Sequence, residues 1–299
     1  MKHINSIADI AAHYDAFLID LWGVMHDGTK LYSGAKEAIA YLHARGKKII
    51  FLSNAPRKAD KAEVTLLKFG IPREAFVEVV TSGQVAYDQL LANNKYGAHY
   101  YYLGPDKDSD ILMRNGVPVL TEHDRDENLL EDAPSLQRVN TPEEADFIVN
   151  TGFEYDFQPE AEIEPLLQRL LAKGLPLLCA NPDLEVVKQD GTQLLCAGWV
   201  ARRYEELGGE VHYIGKPHGD VYEACFELLD APRERILGIG DNFLTDIRGA
   251  NAAGIDSLLI TGGILRAENG AHPDHTALEA LCQQTAARPT YVAELFAAS

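Results

Sequence analysis

A chain of 299 residues, 46% hydrophobic and 24% charged, has room for two domains or for one core with a large insertion. Its 45 acids against 27 bases give a formal net charge of −18, and without a basic patch that charge excludes nucleic acid as a partner. No apolar run approaches the ~20 residues of a membrane helix, and Asp9, His13 and Asp15 break the N-terminal apolar pattern, so a cytoplasmic protein with no membrane partner is expected.

Taken in chain order, short β-rich apolar runs alternate with helical patterns. A helix over residues 6–12 is expected to cover a sheet edge. The run at 16–21 (AFLIDL) ends in Asp20, and helical spacing at 34–46 leads to the run at 48–53 (KIIFLS), which ends at Ser53-Asn54. Further helical patterns lie at 84–94 and 220–230, and further strands at 99–104, 146–150 and 175–180. The run at 211–215 (VHYIG) meets Lys216-Pro217, the run at 235–241 (RILGIGD) ends at Asp241 with Asp246 beyond, and the last strand covers 256–261. Gly46, Gly70 and Gly254 stand where helices should stop. Four scattered cysteines (Cys179, Cys196, Cys225 and Cys282) form no CxxC pair and read as reduced thiols.

Strand and helix in repetition predict a parallel sheet covered on both faces, with ligands gathered at the carboxyl ends of its strands. Asp20, Ser53, Lys216 and Asp241 then converge on one rim, with Asp246 close behind. Against so acidic a chain, a phosphorylated ligand would need a metal ion and one or two cations to reverse the local sign.

The motifs DLWGV (20–24), LSNAP (52–56), GKP (215–217) and GDNFLTD (240–246) occur in this order, with ANPD at 180–183 and CAGW at 196–199. In identity, order and spacing they resemble the haloacid dehalogenase-like superfamily, most of whose members are magnesium-dependent phosphatases. The branch in question carries an α/β cap between the second and third motifs and includes nucleotide, 4-nitrophenyl and sugar phosphatases. The resemblance implies a Rossmann-like parallel-sheet core at residues 1–57 and 212–299, interrupted by a cap at 58–211, with crossings near Pro56-Arg57 and Gly208-Gly209. It further implies that Asp20 attacks phosphorus, and that Mg²⁺ is held by Asp20, the backbone carbonyl of Trp22 and Asp241, with Asp246 ordering its waters. Lys216 would screen the phosphoryl oxygens and Ser53 would bond one of them, while Asn54 and, from the cap, Asp183 are candidate substrate contacts. The substrate would be a small phosphorylated metabolite, and capped relatives commonly form homodimers through the cap.

One position departs from the pattern. The family's second acid, two residues after the nucleophile, protonates the leaving oxygen; here it is Trp22, whose indole has a donor and no basic site. A subgroup of bacterial relatives described as hydrolases or sugar phosphatases resembles this chain in the D-x-W-G-V form. Losing such a group costs typically 10²–10⁴-fold in rate. Three outcomes fit: substrates whose leaving group needs little protonation, compensation by His26 or Asp27, or a phosphometabolite sensor that binds without turnover. Carbon–halogen hydrolysis uses the same aspartate but has no use for the metal motif GDNFLTD.

Overall fold

The structure is a computed structural model that describes residues 1–93, 95–114, 117–118, 136–265 and 275–298. Asn94, the end of one expected helix, lies outside the described residues.

Seven parallel strands form the larger sheet, in the order Lys2–His3, Tyr291–Ala293, Asp256–Ile260, Ile236–Gly240, Ala16–Ile19, Lys48–Ser53 and Glu78–Thr81. The adjacent strands Ile236–Gly240, Ala16–Ile19 and Lys48–Ser53 are almost wholly buried, which is why they read as unbroken apolar runs rather than alternating ones. Their side chains divide between two layers. Phe17, Ile19, Ile49 and Phe51 pack with Ile39 and Leu42 of the helix Ala35–His43, while Leu18, Ile50 and Leu52 pack with Val221, Tyr222 and Cys225 of the helix Gly219–Glu227. Ile19 pairs with both Ile239 and Phe51, so Asp20, Asp241 and Ser53 leave the sheet at nearly one level.

A second sheet holds five parallel strands in the order Val211–Tyr213, Leu177–Cys179, Phe147–Asn150, His99–Leu103 and Gln137–Val139. The helices Glu160–Ala172 and Ala197–Glu206 cover one face through Leu167, Leu170, Val200 and Tyr204. The other face, with Tyr100, Phe147, Val149 and Leu178, belongs to the same apolar cluster as Leu18, Ile50 and Leu52 of the first sheet. Val85, Ala86 and Leu90 of the helix Ser82–Ala92 join that cluster, so the two sheets share one core. A short antiparallel hairpin, Glu185–Val187 with Gln193–Leu195, projects from the second sheet's half of the chain.

Three expectations change. Residues 6–12 form no α-helix but two single 3₁₀ turns, Ile7–Asp9 and Ala11–His13, because the Asp9 carboxylate accepts from the Asn5 and Ser6 amides and closes the first turn early. Glu78–Thr81 pairs with Lys48–Ser53, so the larger sheet continues past the expected boundary at residue 57. Val211–Tyr213 pairs with Leu177–Cys179, so this run belongs to the second sheet and Lys216 enters from there. Sheet membership therefore moves the two crossings beyond Thr81 and beyond Tyr213. The four cysteines are all free. No helix among the described residues is long and apolar enough to cross a membrane.

Candidate active site

At the carboxyl rim of the larger sheet one buried ammonium joins two carboxylates: Lys216 Nζ donates to Asp20 Oδ1 and to Asp246 Oδ1, each at 2.6 Å. Asp20 is 7% exposed and Lys216 3%. Asp246 lies on the π-helical turn Phe243–Ile247, an irregularity frequent at functional sites, and its Oδ2 accepts from the Asn242 amide at 3.1 Å. Asp241 Oδ2 accepts from the Ile264 amide at 2.7 Å. Oxygens of Asp20, Asp241 and Asp246 all lie within 4.8 Å of one another. Two glycines make this possible. A Cβ on Gly23 would stand 2.0 Å from Asp241 Oδ2, and one on Gly263 2.1 Å from the same atom.

Three carboxylates against one ammonium leave the site short of positive charge. Burial raises the Asp20 carboxyl above the usual range; the Lys216 charge opposes that and the Asp246 charge adds to it. Asp241 is raised well above the usual range by burial, then by the charges of Asp20 and Asp246. For Lys216, burial acts downward, but the negative charges of Asp20, Asp246 and Asp183 outweigh it and hold the ammonium protonated. A hard divalent cation with oxygen ligands fits this donor set and would supply the missing charge.

Ser53 Oγ accepts from the Ala55 amide at 3.2 Å, which leaves its hydroxyl proton for an acceptor in the site. Asn54 has a different use from the one expected. Its Oδ1 accepts from Lys216 N at 2.7 Å, and its Nδ2 donates to Lys216 O at 3.0 Å and to Asp183 Oδ1 at 2.9 Å. Both amide hydrogens are thus spent on protein acceptors, so the carboxamide positions Lys216 rather than facing a phosphate. Gly215 is required beside it, since a Cβ there would stand 2.7 Å from Asn54 Oδ1. Asp183 lines the same cleft as Asp20, and burial pushes its carboxyl up to about 6 against the pull of Lys216 and Asn54.

Trp22 lies against Gly28, whose Cβ would fall 2.7 Å from the indole ring, and its Nε1 donates to Val187 O of the hairpin at 3.0 Å. A second bond ties the same loop to the hairpin: the Gln189 amide donates to Asp27 Oδ2 at 3.3 Å. Neither candidate substitute carries a proton to give near neutrality. Burial drives His26 down to about 4, and its Nδ1 accepts from the Gly28 amide at 3.0 Å. Asp27 falls to about 2, because bonds from Thr29, Lys30 and Gln189 favour the carboxylate more than burial disfavours it. The sequence signal for the Trp22 bond was only that an indole N–H inside a fold needs an acceptor. Its partner, 165 residues away, has no local signature.

These groups floor a cleft of about 680 Å³ whose walls come from both sheets' halves of the chain. Across its side, Arg57 is paired with Asp108 at 3.3 Å, a contact invisible in the sequence.

Family models described as haloacid dehalogenase-like hydrolase match residues 17–118 and 153–254, and a HAD-hydrolase-like model matches residues 213–298. A hydrolase of the haloacid dehalogenase-like family from Brucella suis 1330 is 30% identical, with a TM-score of 0.79 over 98% of this chain and 99% of its own. The 5'-nucleotidase YutF of Bacillus subtilis is 26% identical over 257 residues, 86% of this chain and 90% of its own. A glycerol phosphate phosphatase from Mycobacterium tuberculosis, solved in complex with magnesium, has the same fold at 22% identity, with a TM-score of 0.64 over 97% of this chain and 76% of its own. The chain is therefore an enzyme of the haloacid dehalogenase-like hydrolase family, within the branch whose members are named phosphatases.

Proposed function

We propose that this hydrolase is a Mg²⁺-dependent phosphatase that cleaves small phosphate monoesters through an aspartyl phosphate on Asp20. The observation that carries the reading is the buried meeting of Asp20, Lys216, Asp241 and Asp246 at the floor of a cleft. Asp20, Asp241 and the backbone carbonyl of Trp22 would hold Mg²⁺, with Asp246 behind them. Bound there, the ion supplies the positive charge that lets a phosphate dianion approach a carboxylate.

An Asp20 carboxylate oxygen attacks phosphorus, forming an acyl phosphate bond as the bond to the leaving oxygen breaks. Lys216 Nζ offsets charge on the phosphoryl oxygens and the Ser53 hydroxyl donates to one of them. The leaving oxygen departs with its electron pair and takes its proton from solvent, since the N–H groups of the Trp22 indole and of a neutral His26 are too weakly acidic to give one and Asp27 is held as the carboxylate. Water then attacks phosphorus, releasing orthophosphate and restoring Asp20. A relative named as a nucleotidase and another solved with magnesium support the reaction class and the metal.

A second reading, a phosphometabolite-binding protein with negligible turnover, is favoured by one observation: position 22, where the family pattern has an acid, holds an indole with no basic site. Release of inorganic phosphate from 4-nitrophenyl and acetyl phosphate, with Mg²⁺ or with chelator, separates the two. Metal-dependent release, abolished in a folded Asp20→Asn variant, is expected. Turnover by Asp20→Asn within a few-fold of the parent would overturn the nucleophile's assignment.

A further inference from the structure

Away from its floor the cleft changes character. Trp22, Phe153, Val187 and Leu195 give it apolar walls, and at its mouth stand Tyr155 and Phe157, 49% and 71% exposed. Phe157 has a φ of +63°, a left-handed conformation that is strained for a residue bearing a ring. It occupies the third position of a turn closed by Gln158 N donating to Tyr155 O at 3.2 Å, and Glu154 N bonds Gln158 Oε1 at 2.9 Å to brace it. Glycine or asparagine would hold that position with less strain. The hydroxyl of Tyr155 is bonded to Glu162, which fixes the ring at the lip.

Charge limits the occupant further. Among the described residues, the cations lining this outer part are Arg57 and Lys107, and each already faces a carboxylate, Asp108 at 3.3 Å and Asp156 at 3.5 Å. Glu160 and Glu185 add negative charge to the walls. Among the described residues, a second phosphate on the substrate would meet acids and two cations that each already face a carboxylate.

We infer that the cleft selects monophosphate esters of a flat, uncharged or cationic ring, seated between the apolar walls and the Phe157 and Tyr155 rings, and disfavours substrates with a second phosphate. The inference rests on the phosphatase reading above. A cleft of about 680 Å³ accommodates a ring system with its phosphate, and ring stacking contributes beyond area burial.

Phe157→Gly tests it, because glycine removes the ring while tolerating the left-handed backbone. Acetyl phosphate has a good leaving group and no ring, so it controls for the chemical step against 4-nitrophenyl phosphate. The ratio of kcat/KM for 4-nitrophenyl phosphate to that for acetyl phosphate should fall by about tenfold in the variant. As competitive inhibitors of the parent enzyme, a nucleoside diphosphate should be at least about tenfold weaker than the monophosphate. An unchanged ratio, or a diphosphate that binds as well as the monophosphate, would overturn the inference. Should the parent enzyme cleave neither ester, the phosphatase reading fails by itself. Calorimetry then reads ring selection separately, as binding of phenylphosphonate against methylphosphonate to the Mg²⁺-loaded protein. A phenyl preference lost in Phe157→Gly supports ring selection, and no preference in the parent refutes it.

Discussion

Trp22→Asp exchanges a bond across the cleft for a proton donor beside the nucleophile. The bond that is lost acts on every substrate alike, and the apolar wall lost with it acts on ring-bearing ones. The indole bond to Val187 O is worth about 0.5–1.5 kcal/mol, or roughly 2–12-fold in whatever equilibrium it biases. The vacated space, on the order of 100 Å³, sets a ceiling of about 2 kcal/mol on the packing loss, not reached because Trp22 lines an open cleft that water can refill. What is gained acts only where the leaving oxygen needs a proton, and is worth about 3–5 kcal/mol there. The kcat/KM ratio of an alkyl phosphate to 4-nitrophenyl phosphate should therefore rise by up to about 10²–10⁴-fold, while the aryl rate itself falls several-fold. Trp22→Asn, similar in size but unable to transfer the proton, removes the same wall and should raise the ratio by no more than about the tenfold that ring packing is worth. Trp22→Phe keeps a ring over Gly28 and removes only the N–H, so it reads the bond by itself. Equal ratio changes in the Asp and Asn variants would refute the acid–base reasoning, and a Phe variant indistinguishable from the parent would refute the bond's role.

Asp241→Ala removes one of three mutually close carboxylates and should raise the Mg²⁺ concentration for half-maximal activity at least about tenfold, a shift that titration of the metal would detect or exclude. Asn54→Ala frees the Lys216 backbone on both sides and should lower kcat about 10- to 100-fold with a smaller effect on KM; a larger change in KM would mean that the amide meets substrate after all. The metal-free protein should lose stability as pH rises from about 4, because Asp20 and Asp241 keep protons in the fold that the unfolded chain gives up at ordinary carboxylate values. Mg²⁺ competes with those protons, so the rise in melting temperature it causes should be larger at pH 8 than at pH 5; equal shifts would show that the carboxyl cluster does not titrate with the metal.

The part of the rim that carries Asp20, Ser53 and Asp241 was legible because the three strands that lead into it are almost wholly buried. A continuous apolar run that stops at Asp20, at Ser53 or at Asp241 can be placed by hydrophobicity alone. Sheet membership was not legible. Val211–Tyr213 has the composition of either sheet, and its pairing with Leu177–Cys179 is decided by packing that no local window contains. Glu78–Thr81 offers only four residues, one of them charged, and is an edge strand by position in the sheet rather than by pattern. The role of Asn54 was hidden for a related reason. Its three bonds go to residues 129 and 162 positions away, so the motif marks the residue without marking what its amide holds.

Lys216 follows the edge strand of the second sheet by three residues, yet its backbone is gripped on both sides by Asn54 of the first. On the function proposed here, chemistry and selectivity would in consequence be inherited separately. Exchanging the segment between Thr81 and Ile214 for that of a relative would replace Phe153, Val187 and Leu195 of the apolar walls, the hairpin and the aromatic lip in a single cassette, with Trp22 left behind. Asp20, Ser53, Lys216, Asp241 and Asp246 would all stay on the recipient, and of the bonds of Asn54 only the one to Asp183 would have to be remade. A fold wired in this way can acquire new substrates by recombination without rebuilding the groups that break the bond.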